Sequence, residues 1–342
     1  MSDNNRSPSN HSHKDMSMNE SKLSYLKPDP EKLRIIQHAA EIDMAYTEAS
    51  GFKKLGIHMR RQFQPYYFMQ APLWRTAIRS LNNKNRVSPD FFSIGAVRSG
   101  TTQLADYIMQ HPCMVLPLAK EIGMREAPLS RLLEAQFPTR KQKQAIEEKY
   151  QIARTAYCSP VVPSLLFPLL ARNVNANGKV VMIMRNPIDR TFSHWRWDQV
   201  FLNKLKKDKL WADFPGFDDL IKMELDASTQ HATTGITLAG AGCGGYIQHS
   251  IYLPFLKCLY QCFKKENILL INADHFFSDS VNVAKSVYRF FELPEYEPVP
   301  PPVGNAGPPG AMSDDTRAAL STFFAPLNQQ LYEFIGEDYG WY

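Results

Sequence analysis

Ser93-Ile94-Gly95-Ala96-Val97-Arg98-Ser99-Gly100-Thr101-Thr102 is an apolar run that breaks into a polar, glycine-containing turn and then opens a helical pattern. A second segment of the same design, Val180-Val181-Met182-Ile183-Met184-Arg185-Asn186-Pro187-Ile188-Asp189-Arg190-Thr191-Phe192-Ser193, follows later in the chain. A strand running through such a turn into a helix N-terminus aims backbone N–H groups, the positive end of the helix dipole and a cationic side chain at one place, which is how phosphate is held. Two of these turns imply a ligand with two separate phosphates.

Gly95 and Gly100 have the glycine spacing of the nucleotide loop G-x-x-x-x-G-K-[ST], but Thr101 stands at the lysine position. A nucleoside triphosphatase needs that lysine on the β- and γ-phosphates, and a magnesium site after the loop. Here the nearest cation is Arg98, which precedes the second glycine. The x-[K/R]-S-G-T-T loop resembles the first motif of the sulfotransferases that use 3′-phosphoadenosine 5′-phosphosulfate (PAPS). That resemblance implies that Arg98, Ser99, Gly100, Thr101 and Thr102 bind the 5′-phosphosulfate and that Arg185 and Ser193 bind the 3′-phosphate. The second segment fits the family pattern R-[ND]-P-x-[DE]-R-x-x-S. One departure is Arg98, where the family usually has Lys; Arg keeps the charge but presents a planar fork in place of a compact ammonium.

Gln110-His111-Pro112 followed by Leu116-Pro117-Leu118-Ala119-Lys120-Glu121 is similar to the H-P-x-x-x-x-P-x-x-K-E stretch of heparan-sulfate-type sulfotransferases and their bacterial relatives. Cys158-Ser159-Pro160 resembles the short S-P element of that branch, and Met312 to Arg317, Phe323 to Asn328, Leu331-Tyr332 and Gly340-Trp341 resemble its C-terminal part. The likeness covers residues 90 to 342 with gaps, and it departs at Ile122-Gly123-Met124, where the branch commonly has an aromatic pair. It implies one α/β domain of P-loop-like sulfotransferase fold, with a mainly parallel central sheet flanked by helices. It also implies sulfuryl transfer from PAPS to a hydroxyl or amine, release of adenosine 3′,5′-bisphosphate (PAP), and no metal.

In that branch the base is a Glu following Lys, which points to Glu121. Lys120 would then orient the acceptor or stabilise the sulfuryl oxygens, and Arg98 with the N–H groups of Gly100 to Thr102 would face the charge growing on the leaving group. A surface pair is the plainer reading of Lys120-Glu121. Cytosolic sulfotransferases use a His instead, and three are at hand: His111, which reads as a cap in the H-P turn, His194 beside Ser193, and His249, the better rival base. Asp189 and Arg190 read as a structural ion pair or cap.

Among 342 residues, 39 Lys and Arg stand against 34 Asp and Glu, a net charge of +5 that is too evenly mixed to infer a nucleic-acid surface. The longest apolar stretch, Val161 to Leu170, is broken by Pro163 and Pro168, so no transmembrane segment is expected. The first residues are rich in Ser, Asn, His and Lys, with no apolar core for a signal peptide. The 5 cysteines are odd in number and lack zinc-ligand spacing, so a reduced, cytoplasmic protein is the expectation.

By composition residues 1–24 read as a disordered tail, 25–88 as an N-terminal helical extension, and 89–342 as the sulfotransferase domain. Asp29-Pro30-Glu31 starts one helix, with Leu33, Ile36 and Ala40 as its apolar stripe, and Trp74 to Leu81 gives another. Strands are expected at Phe91 to Val97, Met114 to Leu116, Val180 to Met184 and Ile268 to Asn272. Helices are expected at Thr102 to Gln110, Arg140 to Ile152, after Pro187, at Ser280 to Phe291 and at Ser313 to Ile335. The aromatic run from Tyr66 to Trp74 packs on the enzyme body or a second subunit, walls the acceptor pocket, or, with Arg60, Arg61, Arg75 and Arg79 nearby, touches a membrane surface.

Residues 198–245 read as a lid or substrate wall. Within it, residues 210 to 230 hold Asp213, Asp218, Asp219, Glu224 and Asp226 against Lys222 alone. Such a wall repels a polyanionic glycan and admits a small neutral or cationic acceptor, although an ordinary solvated helix face fits the same charges. A polar secondary metabolite or alkaloid of the paralytic-toxin type is then one acceptor, in toxin biosynthesis, and a carbohydrate is the alternative. A nucleotide-dependent kinase and a catalytically silent PAPS-binding module are the readings from other classes.

Overall fold

The computed structural model describes residues 26–68, 71–122, 130–162, 164–205, 215–230, 245–301 and 310–342. The expected tail at 1–24, and residues 206–214 and 231–244 of the expected insertion, lie outside them. Four strands form one sheet: β1 (Phe91–Ala96), β2 (Ala156–Val162), β3 (Lys179–Met184) and β4 (Ile268–Asn272). Their order is β2-β1-β3-β4 and every pairing is parallel.

β1 is buried along its whole length and β3 almost so, with no apolar-polar alternation, because helices cover both faces. Phe92, Ile94, Val180 and Met182 point into one core, with Phe167 and Leu256; Phe91, Val181 and Ile183 point into the other, with Leu104, Ile108 and Val287.

Helices α1 (Pro30–Glu48), α2 (Gly51–Gln62) and α3 (Leu73–Ser80) precede the sheet. Between β1 and β2 come α4 (Thr101–Gln110), α5 (Ser130–Glu134) and α6 (Arg140–Tyr150), and α7 (Leu166–Val174) leads to β3. Then follow α8 (Pro187–Leu205), α9 (Phe217–Gln230) and α10 (Leu253–Cys262), and after β4 come α11 (Ala273–Ser278), α12 (Ser280–Phe290) and α13 (Asp314–Ile335).

The expected strand at Met114 to Leu116 is reduced to a single bridge between Met114 and Arg154. Among the elements that escaped the sequence are β2 and α2, with α5, α7 and α11. β2 contains Pro160, which argues against a strand, yet β2 is an edge strand where a missing N–H is tolerated. α2 carries two glycines and four bases in 12 residues, a weak helical signal. The stripe of α1 is also offset: Ala39 and Lys32 are its buried residues. The Lys32 ammonium donates to the carbonyls of His111, Pro112 and Met114 at 2.9, 3.0 and 2.6 Å.

Tyr66 and Tyr67 pack on the enzyme body. Tyr67 N–H donates to the Leu118 carbonyl and its own carbonyl accepts from Lys120 N–H, both at 2.9 Å, so the chain lies as a short parallel bridge along residues 118–120. In α9, the Glu224 carboxylate accepts the N–H groups of Tyr246 and Ile247 at 3.0 and 2.9 Å. One acid of the expected acidic wall is thus turned inward to cap a turn.

From β1 the chain moves outward to β2, then crosses back over β1 to β3 and on to β4. The direction reverses between β1 and β3, and ligands of open parallel sheets bind beyond the carboxyl ends of strands at such a reversal. Both glycine- and arginine-bearing turns leave the sheet there.

Candidate active site

Gly100 is the N-cap of α4 and has φ 94°, while Arg98 before it has φ 71°. Left-handed backbone at these positions turns the chain sharply from β1, so the first N–H groups of α4 point into the turn. Glycine is required at two places. A Cβ on Gly95 would lie 2.6 Å from the Ile183 carbonyl oxygen, and one on Gly100 would lie 2.9 Å from the Phe277 ring.

In the second turn the Asn186 side chain accepts the Ile188 N–H at 2.9 Å and its carbonyl accepts the Arg190 N–H at 2.9 Å, which starts α8 at Pro187. That start sets Ser193 two turns along the helix, facing the first motif. The two turns interlock: Arg98 Nε donates to Ser193 Oγ at 3.3 Å, and Arg185 Nη1 donates to the Arg98 carbonyl at 3.1 Å. Arg185 Nε is buried with no hydrogen-bond partner among the described residues. The Arg98 guanidinium lies 4.8 Å from the Trp197 ring centroid, and that of Arg185 lies 5.5 Å from Phe277. Burial, then Arg185 and Arg196, pull Arg98 down to about 10, so it stays cationic at neutral pH. Mutually repelling arginines that are partly desolvated make a site for an anion.

Arg190 is fully buried and structural. It donates to the carbonyls of Val97 at 3.1 Å and Tyr246, and to Ser250 Oγ at 2.5 Å, and so props the first turn from beneath. Asp189 instead faces Arg317 at 3.7 Å, so these neighbours do not pair with each other. His111 is likewise structural: Nδ1 accepts the Cys113 N–H at 3.1 Å and Nε2 lies 3.0 Å from the Pro294 carbonyl.

Lys120 and Glu121 are not a surface pair. The Lys120 side chain is fully buried, its ammonium 3.5 Å from Asp106 Oδ1 and 3.2 Å from the centroid of the Phe68 ring. Glu121 is half-buried and its Oε1 accepts from Thr102 Oγ1 at 3.3 Å, which joins this pair to the first motif. Burial raises the Glu121 carboxyl; Lys120 and the Thr102 hydroxyl oppose that, and Asp106 adds to it. Burial raises Asp106 and lowers Lys120 as well, each opposed by the other's charge.

His249 lies elsewhere, buried beside Arg190 and 5.4 Å from the His194 ring. Neither of its ring nitrogens has a hydrogen-bond partner among the described residues, and burial followed by Arg190 holds it down to about 4.

The sulfotransferase-domain family model matches residues 88–301. The chain belongs to the sulfotransferase family. Its fold is that of a sulfotransferase from Alicyclobacillus acidocaldarius, with TM-score 0.52, 20% identity, and coverage of 74% of this chain and 98% of that one. The membrane-associated sulfotransferase kil1 of Dictyostelium discoideum is 26% identical over 141 residues, 40% of this chain and 28% of that protein. This chain therefore aligns with little more than a quarter of that relative's length.

This sulfotransferase brings together Arg98, Arg185 and Ser193, and separately Thr102, Glu121 and Lys120; His249 joins neither set by a hydrogen bond. Asp106, Trp197 and Phe277 were not foreseen. Asp106 is four residues after Thr102 and Trp197 four after Ser193, on the same helix faces, which is the spacing that could have found them. Phe277, on α11, carries no such signal.

Proposed function

We propose that this sulfotransferase uses PAPS and that the interlock of Arg98, Ser193 and Arg185 at the β1–β3 crevice is its donor site. The uncommitted Arg185 Nε and the close backbone approach at Gly95 and Gly100 fit a ligand with phosphates at both turns. Arg98, Ser99, Gly100, Thr101 and Thr102 hold the 5′-phosphosulfate, and Arg185 and Ser193 hold the 3′-phosphate. When bound, PAPS supplies the sulfuryl group and departs as PAP.

Arg98 and the first N–H groups of α4 face the oxygen on which charge grows, and each well-aimed donor contributes about 3 to 4 kcal/mol. Glu121 takes the proton of the acceptor hydroxyl or amine. Its raised carboxyl is better matched to that task than an ordinary one, since a base is most effective near working pH. Lys120 lies beside it and orients the acceptor. The acceptor is a small polar molecule, such as an alkaloid-type secondary metabolite, ahead of a glycan. The free cysteines Cys113, Cys158, Cys258 and Cys262 fit a reducing, cytoplasmic setting.

The unpartnered ring nitrogens of His249 favour one second reading, with His249 as the base. Calorimetry with PAP, and transfer of labelled sulfate from PAPS to an acceptor panel by wild type, Glu121→Gln and His249→Asn, test these assignments. Tight PAP binding, turnover with PAPS and none with ATP are expected, with loss in Glu121→Gln alone. Turnover with ATP would return the kinase reading, and PAP binding without transfer to any acceptor would make the chain a silent binding module.

A further inference from the structure

Helices α2 and α3 turn an apolar surface to solvent. Phe52, Leu55, Met59 and Phe63 recur along one side of α2, with Phe52 94% and Phe63 67% exposed, and Trp74 and Ile78 continue the surface on α3. The Phe63 and Trp74 rings meet at 5.7 Å, so the two stripes are one patch. The fold fixes its orientation. The opposite side of α2 is held on α1 by Arg61, which donates to Asp43 at 2.5 Å, and by Lys54 and Arg61 against the Tyr46 ring. α3 is pinned by Arg79, which donates to the carbonyls of Ala135 and Phe137 at 2.7 and 2.9 Å. A contiguous exposed patch of this kind marks an interaction surface.

Charge identifies what covers it. From Gly51 to Pro89 the chain has no Asp or Glu; of its eight Lys and Arg, Lys54 and Arg61 turn to α1 and Arg75, Arg79 and Arg86 donate to backbone carbonyls, which leaves Lys53, Arg60 and Lys84 at the surface. Exposed Lys53 and Arg60 border the apolar side of α2. A symmetric dimer through this face would set the same basic surface against itself, which like-charge repulsion opposes. Residues 1–25 contain no apolar run to lie across it. Aromatic and aliphatic side chains rimmed by bases are instead the make-up of a helix that lies in the boundary of an anionic bilayer. No helix among the described residues is long and apolar enough to cross a membrane.

We propose that α2 and α3 dock this sulfotransferase on an anionic lipid surface, with Phe52, Leu55, Met59, Phe63, Trp74 and Ile78 entering the headgroup–acyl boundary and Lys53 and Arg60 against the headgroups. The test is co-sedimentation of the full chain with phosphatidylcholine vesicles made with and without phosphatidylserine. Binding is expected only with phosphatidylserine, and it weakens as salt rises. Phe52→Glu with Phe63→Glu abolishes it while PAP affinity stays at the wild-type value, which shows that the variant is folded. Lys53→Glu with Arg60→Glu, which leaves the apolar side chains in place, weakens it by about tenfold or more. No binding to phosphatidylserine vesicles, or binding indifferent to both variants, overturns the proposal. A dimer in sedimentation velocity that Phe52→Glu dissolves would overturn it too, and assign the face to a second copy.

Discussion

The Arg185 guanidinium reaches across the β1–β3 crevice and donates to the main-chain carbonyl of Arg98 at 3.1 Å. That carbonyl belongs to a non-glycine residue with φ 71°, a backbone state that must be held by its surroundings. Arg185 therefore braces the first turn, and in the proposed donor site it has a second task, to present its remaining N–H groups to the ligand. Arg185→Ala should weaken PAP binding by about 1.5 to 3 kcal/mol, the range for a lost charge-assisted bond. Arg185→Lys should recover little, because a single ammonium cannot span both tasks. Calorimetry on the two variants checks this, and wild-type affinity in either contradicts it.

Gly95 sets the width of the same crevice. A Cβ there meets the Ile183 carbonyl oxygen at 2.6 Å and Thr101 Cγ2 at 2.8 Å, and the first of these is backbone of the paired strand. Gly95→Ala should cost about 1 to 3 kcal/mol in denaturant unfolding, as overpacking of a tight core does. Because β1 and β3 must part to admit the methyl group, PAP affinity should fall with stability. An unchanged unfolding midpoint would show that the strands give freely.

Glu121 carries a pH signature. Burial holds its carboxyl above the ordinary 4.5, so turnover should fall as pH drops through that raised value. Asp106→Asn removes a charge that raises Glu121 and leaves Lys120 unpaired beside it, so the acid limb should move to lower pH. The stability effect has the opposite sense. A group raised in the fold stabilises fully below its unfolded value, and that contribution is lost as pH rises through the folded one. Glu121→Gln should therefore melt higher than wild type at about pH 8, with the gain gone at about pH 4. Its turnover should fall about a hundredfold or more. Equal melting at both pH values would mean that the carboxyl is not strained by burial.

The main frame of the site was legible in the sequence because its two turns are local. The strand, the turn residues and the helix start of each motif are contiguous, from Gly95 to Thr102 and from Val180 to Ser193, so periodicity and turn chemistry report them directly. Their mutual contact, Arg98 with Ser193, follows once both turns leave neighbouring strands at one end of the sheet. Asp106 was not legible, since what matters is its 3.5 Å approach to Lys120, and that depends on how residues 118–120 lie against α4. Edge strand β2 was hidden by Pro160, whose effect depends on sheet order. The burial of Lys120 is tertiary as well, because its cover, Phe68, comes from the N-terminal extension.

Phe277 is where tertiary structure adds most to the site. It comes from α11, far along the chain, yet its ring limits Gly100 and lies 5.5 Å from the Arg185 guanidinium, while its side chain remains 46% exposed. An aromatic face left open beside an arginine steadies its charge through the ring quadrupole, worth about 0.5 to 1 kcal/mol at an exposed position, and here the arginine is the one proposed to hold the 3′-phosphate. Phe277→Ala should accordingly weaken PAP binding by about two- to fivefold. Phe277→Tyr, which keeps the ring, should bind as wild type. Because the side chain is partly exposed, the unfolding midpoint should hardly move in either variant. A loss in Phe277→Ala that tracks a fall in the midpoint would mean the ring supports the turn at Gly100 and does not act on Arg185.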